Sequence, residues 1–351
     1  MVIKAKSNST YIFDVGGTYL RSAEWISGQG PTQILSSASP GFIQYPGESS
    51  CELKNRLLFA IEKRLPRPGN YNLVSSISLG AAINHRSGEV YGAAPLWGPQ
   101  QLNVKLTDEL HNLRPDVHWL VMNDVTAMAL HFSQQDICRS VSKAMLITVS
   151  SGIACRVFQT TPFHISFDLA GLQGEIGHLP AVGTLPPLLC DCGETGHIAA
   201  YSSGRGIRRV YELLYKQTFN QQLRSDDFEN YFKQGLDRQD VFCKKVLTLA
   251  MQPLADFITT VLVIDPSIEL IALSGGVIDS LGEYVKHAIL ERLYDKGPYI
   301  TSKKHQKELT LRLFICPPNT ASGLWGAGVA TEHLKESWFA NYIPHKEPSD
   351  V

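Results

Sequence analysis

The sequence predicts an α/β fold made of two similar halves, and three observations carry that expectation. Strand-like apolar runs alternate with helically spaced ones along most of the chain, the pattern of helices layered on sheets. Two β-rich pairs, "YIFDVGGTYLRSAEW" and "AMLITVSSGIACRVFQ", each fold back through a turn of small residues, as if each began one half of a duplication. The length, 351 residues with 44% hydrophobic and 19% charged, suffices for two domains with cores of their own.

Taken in order, the first hairpin turns at Gly16 and Gly17. "CELKNRLLFAIEKRL" has Leu, Phe and Ile at helical spacing and is stopped by "PRPGN", after which "LVSSISLG" reads as a strand. "VHWLVMNDVTAMALHF" reads as strand, turn and helix, with Asn123 and Asp124 at the junction, a natural place for chemistry. Ser150, Ser151 and Gly152 form the turn of the second hairpin. Beyond a cysteine-bearing loop come helices in "GIRRVYELLYKQ" and "VFCKKVLTLAMQPLADFITTVLVI", a strand "IELIAL", a glycine turn "SGGV" and a helix through "EYVKHAILERLY". "LTLRLFIC" reads as a further strand and "SGLWGAGVATEHLKE" as a late helix, with a polar tail after about Trp338.

The charge balance is even, 32 Lys plus Arg against 33 Asp plus Glu, so no basic excess marks a nucleic-acid or membrane partner. The start, "MVIKAKSNSTYIF", has no apolar leader core, and no later run of about 18 apolar residues reads as a membrane span. A cytoplasmic protein is expected. Its 7 cysteines are odd in number and, apart from Cys190 and Cys192, scattered, which suits reduced thiols rather than a disulfide scaffold.

Four stretches hold residues that suit chemistry. "DVGGT", Asp14 to Thr18, sets a carboxylate before two glycines and a hydroxyl; glycines admit a phosphate to backbone N–H groups, and the acid suits an accompanying magnesium ion. A plain hairpin turn is the alternative. "SSGIA" with Ser151 and Gly152, and "LSGGV" with Gly275 and Gly276, offer second and third phosphate turns or ordinary ones. Asp124 suits a general base or merely caps the helix after it. "GEIGH" sets Glu175 and His178 around a glycine, a pair that also suits a plain surface. In "HLPAVGTLPPLLCDCGETGH", His178, Cys190, Cys192 and His197 are two thiols and two imidazoles. That set suits tetrahedral structural zinc, although cysteines one residue apart are closer than the usual finger spacing. "SSGRGIRR", 202 to 209, reads as a phosphate contact or a solvated basic helix start.

In their order along the chain these motifs resemble the ROK family of sugar kinases and related repressors. "DVGGT", "NDVTAMAL", "SSGIA", "GEIGH", "CDCGETGHIA" and "SGGV" match the family's acidic glycine turn, Asn-Asp pair, GTGIG, GEIGH, CxCGxxGCxE and late glycine turn. The resemblance implies the actin-like ATPase (ribonuclease H-like) duplicated fold with an active-site cleft between two α/β domains. It puts the N-terminal domain at 1–118, with a helix at about 322–336 packing back onto it, and the C-terminal domain at 119–321. It implies ATP with Mg2+ at Asp14, Gly16, Gly17, Thr18, Ser151, Gly152, Gly275 and Gly276. Asp124 becomes the general base, and Asn123, Glu175 and His178 become the groups that hold the substrate. Structural Zn2+ falls to His178, Cys190, Cys192 and His197, the last standing where the family has its third cysteine. A homodimer is implied by the same analogy.

Two departures bear on the substrate. The family's glutamate two residues after that third cysteine is Ala199, and the asparagine of its Pro-Asn pair is Leu96. Losing acceptors built for sugar hydroxyls argues against an ordinary aldohexose. The expected activity is phosphorylation of a primary hydroxyl on a sugar or sugar-like ring, with a C7-cyclitol of the valiolone type as the alternative acceptor. The contrasting expectation is a non-catalytic sugar-binding regulator. It is disfavoured because only 13 residues precede Asp14, too few for the helix-turn-helix of the family's repressors.

Overall fold

The computed structural model describes residues 10–69, 73–98, 102–166, 171–172, 174–183, 185–221, 227–298 and 305–333. It divides into two compact units: Met1–Gln135 with His164–Gln173 and Thr320–Val351, and Asp136–Phe163 with Gly174–Asn319.

The first unit contains β1 (Thr10–Val15), β2 (Tyr19–Ile26), β3 (Gly30–Ala38), α1 (Ser50–Glu62), β4 (Leu73–Leu79), β5 (Ala82–Asn84), β6 (Glu89–Gly92), α2 (Ala94–Trp97), β7 (Val104–Lys105), α3 (Leu106–Leu113), β8 (Val117–Asn123) and α4 (Asp124–Phe132). Its main sheet has the order β3-β2-β1-β4-β8. β1 runs antiparallel to β2 and parallel to β4, which runs parallel to β8. Central strands such as "LVSSISL" are buried on both faces, which is why they read as continuous rather than alternating runs. α1 starts at a capping box between Ser49 and Glu52 and buries Leu53, Leu57, Leu58 and Ile61, one face at helical spacing.

The second unit contains β9 (Lys143–Val149), β10 (Ile153–Thr160), the start of β11 (Phe163–Ile165), whose other two residues count with the first unit, α5 (Ile198–Ser202), α6 (Gly204–Phe219), α7 (Phe228–Asp237), α8 (Val241–Ile264), β12 (Leu270–Ser274), α9 (Gly276–Lys296), α10 (Gln306–Arg312) and β13 (Leu313–Ile315). The sheet order is β11-β10-β9-β12-β13. β9 runs antiparallel to β10 and parallel to β12, and β12 runs parallel to β13. This is the first unit's order and these are its directions again, so the duplication hinted at by two hairpins extends through both five-stranded sheets.

The final helix, α11 (Gly323–Glu332), belongs to the first unit, where it packs on α4, β4 and β1. Close approach needs its glycines: a β-carbon at Gly326 would collide with the carbonyl of Ala127, and one at Gly328 with the ring of Trp25. At its start Ser322 N–H donates to His131 Nδ1 at 3.1 Å, and the His131 ring stacks on Trp325 with centroids 5.1 Å apart. Burial there lowers the His131 pKa from 6.5 to about 4.

Several expectations are corrected. The boundary at 118/119 falls inside β8, whose ladder with β4 carries β8 and α4 into the first unit, so the division lies at Gln135/Asp136. "LTLRLFIC" is not one strand. Its first half finishes α10, and β13 is confined to Leu313–Ile315, where it pairs with β12. α8 is long and apolar enough to cross a membrane by length and composition, which the expectation of no span had missed. Its Val246, Leu247, Ala250, Met251, Leu254 and Ile258 are instead packed into the second unit's core against α5, α6 and α9. Cys138 is buried, and burial pushes its thiol up to about 12. The tail after Trp338 and the end of the expected 322–336 helix lie outside the described residues.

Candidate active site and metal centre

In the first unit the chemistry gathers at the ends of parallel strands. Asp14, near the end of β1, stands in register with Arg21 on β2 and Ser78 on β4. Ser78 Oγ donates to Asp14 Oδ1 at 2.9 Å, and Arg21 Nη2 lies 3.0 Å from Oδ2. Burial pushes the Asp14 carboxyl above its ordinary value, while Arg21 and Ser78 pull it back. The arrangement sets this acid, with Arg21 as its ion-pair partner, beside the hairpin turn. Neither Gly16 nor Gly17 adopts the left-handed backbone; Gly17 is needed because a β-carbon would strike Pro95, and Gly16 leaves its surroundings open. Thr18 is exposed and its carbonyl accepts from Ser39 N–H.

β8 delivers Asn123 and Asp124 to the same strand ends, because Leu79 pairs with Asn123 across the ladder. Gly80, whose N–H donates to Val15 O at 2.9 Å, fills the space between: a β-carbon there would sit 3.5 Å from Asp124 Oδ2 and 3.8 Å from the Gly16 α-carbon. Glycine thus leaves room between the half-buried Asp124 carboxylate and the phosphate-type turn. The N-cap is Asn123, and Asp124 shares in the capping, its Oδ1 accepting from Val125 N–H at 2.8 Å. Asn123 Oδ1 accepts from Val125 N–H and Thr126 N–H, its Nδ2 donates to Ala81 O, and Asp124 is the first residue of α4. Asn123, expected as a substrate contact, is 3% exposed and carries this structural task.

In the second unit the two expected phosphate turns meet. β9 and β12 pair through Thr148 and Ser274, which places Ser150–Gly152 beside Gly275 and Gly276. Ser150 N–H donates to Gly152 O at 2.9 Å, and Ser151 and Gly152 are exposed. Gly275 has φ 101° and faces Val149 O at 2.6 Å from a would-be β-carbon, so only glycine fits before α9 begins at Gly276. "SGGV" is therefore a strand-to-helix turn that lies beside the Ser150 turn.

Glu175 and His178 are not a plain surface pair. Glu175 is half-buried; burial raises its pKa and the cation of Arg156 lowers it. Arg156 is 3% exposed on β10 and leans on Gly174, whose β-carbon position its guanidinium occupies. His178 is exposed and turns toward the cysteine loop, with its ring 5.4 Å from that of His197. Ligand atoms of His178, Cys190, Cys192 and His197 all lie within 4.8 Å of one another. Short backbone bonds shape the loop, Cys190 N–H to Glu194 O at 2.7 Å and Gly193 N–H to Cys190 O at 3.0 Å, with Gly193 at φ 98°. Two thiols and two imidazoles at that separation fit a four-coordinate metal ion, so the one-residue cysteine spacing is no obstacle to a shared ligand set.

The expected residues thus collect in two groups, Asp14 to Thr18 with Asn123 and Asp124 in the first unit, and the remainder in the second. Arg21, Ser78, Gly80 and Arg156 were missed. Each is met only through strand pairing or packing, and only Gly80, closing a predicted strand, leaves a trace in the sequence. Leu96 and Ala199, which replace polar family positions, are 1% and 7% exposed and lie in the cores of their respective units.

The model of the ROK family matches residues 52–308. The chain is 41% identical over 332 residues to 2-epi-5-epi-valiolone 7-kinase of Actinoplanes sp., covering 91% of each. It is 29% identical to C(7)-cyclitol 7-kinase of Streptomyces hygroscopicus subsp. jinggangensis, over 56% of this chain and 55% of that protein. Among solved structures, the ROK family glucokinase from Streptomyces griseus in complex with glucose and AMPPNP has a TM-score of 0.64 at 16% identity, covering 91% of this chain and 98% of its own. The ROK hexokinase from Thermus thermophilus has a TM-score of 0.60 at 18% identity over 92% and 97%, so both share the actin-like ATPase fold. With the family's motifs in order, its duplicated sheets and a relative matched almost end to end, the chain belongs to the ROK family.

Proposed function

We propose that this chain transfers the γ-phosphoryl group of ATP to the C7 hydroxyl of a valiolone-type C7-cyclitol. It is an ATP-dependent kinase acting on a primary hydroxyl of a sugar-like substrate. The observation that carries the cyclitol reading is the 41% identity, over 91% of both chains, to a kinase named for 2-epi-5-epi-valiolone. Leu96 and Ala199 support it, since buried apolar side chains stand where the family has acceptors for an ordinary sugar.

Asp124 takes the proton of the acceptor hydroxyl as its oxygen bonds to the γ-phosphorus; the bond to the bridging oxygen breaks and ADP leaves with the electron pair. Backbone N–H groups at Gly17, Thr18, Ser151, Gly152, Gly275 and Gly276 receive the phosphates, while that of Gly16 closes the turn by donating to Tyr19 O at 3.0 Å. The buried, ion-paired Asp14 suits a hydrated Mg2+, which neutralises phosphate charge when bound. Glu175 and His178 orient the ring, and Asn123, whose carboxamide binds the start of α4 and Ala81 O, holds Asp124 in place. His178, Cys190, Cys192 and His197 hold structural Zn2+, which cross-links the loop beside Glu175. The reading extends to a homodimer in the cytoplasm, where ATP is present and thiols stay reduced; a monomeric mass by light scattering would remove the dimer.

The test is ADP release with 2-epi-5-epi-valiolone, glucose and N-acetylglucosamine side by side. The cyclitol is expected to lead in kcat/KM by about 100-fold or more. Equal use of glucose would overturn the cyclitol assignment, and no ADP release with any acceptor would overturn the kinase.

A further inference from the structure

"SSGRGIRR" is the one singled-out motif that the proposed chemistry leaves unused, and its arginines are already engaged. Arg205 Nη1 lies 3.1 Å from Asp191 Oδ2, and Arg209 Nη2 pairs with Asp191 Oδ1. Arg208 pairs with Glu212 one turn along α6. Asp191 stands between Cys190 and Cys192, so two arginines in the first turns of α6 grip the metal loop at its centre.

The other end of that helix start reaches the phosphate turns. Gly204 N–H donates to Ser150 O at 2.9 Å, and a β-carbon on Gly204 would touch Val277 at 3.4 Å and Ser150 O at 3.6 Å. Gly204 is therefore wedged against both turns, the one at Ser150 and the one that opens α9. The corner between α5 and α6 is stiff: Ser203 Oγ donates to Ala199 O at 2.6 Å and accepts from Gly206 N–H at 3.1 Å. At Gly206 a β-carbon would meet the backbone of Ala199 and Tyr201 within 2.7 Å. A displacement of the metal loop therefore has a short, rigid route to Ser150.

We infer that Asp191 is a positioning residue for the nucleotide, its ion pairs to Arg205 and Arg209 fixing the start of α6 and through Gly204 the turn Ser150–Gly152. The metal loop then supports the phosphate side of the site as well as the wall that carries Glu175. This rests on the reading of that turn as a phosphate cradle.

The experiment compares Asp191→Asn and Asp191→Glu with the parent protein. It reads metal content, the affinity of a non-hydrolysable ATP analogue with Mg2+ by calorimetry, and the separate KM values for ATP and 2-epi-5-epi-valiolone. Asp191→Asn is expected to keep its metal and to bind the analogue roughly three- to tenfold more weakly, the range that two partly exposed ion pairs supply. KM for ATP should rise to match while KM for the cyclitol holds, and Asp191→Glu should restore both nucleotide values. Unchanged analogue affinity, equal rises in both KM values, or loss of the metal from Asp191→Asn would each overturn the inference. Analogue binding needs neither turnover nor acceptor, so a wrong acceptor shows only in the kinetics. Failure of the parent itself to bind the analogue would take down the kinase reading and this inference together.

Discussion

The two units answer the same structural question with different charges. Asp14 and Thr148 hold equivalent places, one residue before the end of the first strand of each sheet. Asp14 is flanked across the ladders by Arg21 and Ser78, and Thr148 by Ala154 and Ser274. One frame therefore carries a buried carboxylate with its counter-ion, and the other carries only neutral groups. A carboxylate attracts the metal that accompanies a nucleotide but repels its phosphates, whereas neutral backbone N–H groups do the reverse. The same scaffold appears twice, and in the proposed function the residue at one register position divides the work. A second difference lies further along each unit: β8 runs straight into α4 and Asp124, while β10 leads on to the Glu175 segment and the metal loop.

That division can be broken at four points. The largest effect is expected from Asp124→Asn, which removes the proposed base from the first unit and should lower kcat by roughly 10²- to 10⁴-fold with KM for ATP held, measured by ADP release. In the second unit, chelation of the metal, or Cys192→Ser, should lower the melting temperature by on the order of 10 °C, followed by calorimetry beside metal analysis. A metal-free sample that melts unchanged would sink the four-ligand reading.

The third concerns pH. The His131 pKa falls from 6.5 to about 4 in the folded chain, so the unfolded chain takes up a proton first as pH drops. Stability should therefore decline between pH 6.5 and 4 by about 3 kcal/mol and level off below. His131→Asn retains an acceptor for Ser322 N–H but cannot titrate, and urea midpoints across that window should flatten. The smallest effect is expected from Gly275→Ala, which meets both a left-handed backbone and Val149 O. It should cost about 1–3 kcal/mol of stability and weaken ATP binding while cyclitol binding holds.

Much of the frame was legible because strands buried on both faces leave continuous apolar runs, and because small-residue turns punctuate them at Gly16 and Ser151. The boundary between units was not legible. It depends on β8 pairing with β4, a contact between segments about forty residues apart, and nothing local in "VHWLVMN" names its partner. The same holds for the electrostatics of Glu175. "GEIGH" shows the acid, but its cation arrives from Arg156 on a strand read only as part of a hairpin. The candidate metal cluster could be picked out because four donors stand within one loop, whereas Asp191 looked like a spacer between two of them. "LTLRLFIC" misled because its leucines suit a strand as well as a helix, and the choice was made by the short β12 edge, which pairs with only three residues.

The return of α11 to the first unit has a consequence for how the chain is made. Synthesis delivers residues from one end, so Asp136–Phe163 and Gly174–Asn319 leave the ribosome while the first unit still lacks its last helix. Gly323 of that helix packs against Asp14 and Ser78, residues translated roughly three hundred and two hundred and fifty codons earlier. The Asp14 carboxylate is covered only when this helix emerges, so the part-made chain carries a complete five-stranded sheet with this patch still uncovered while the second unit's segments are already out.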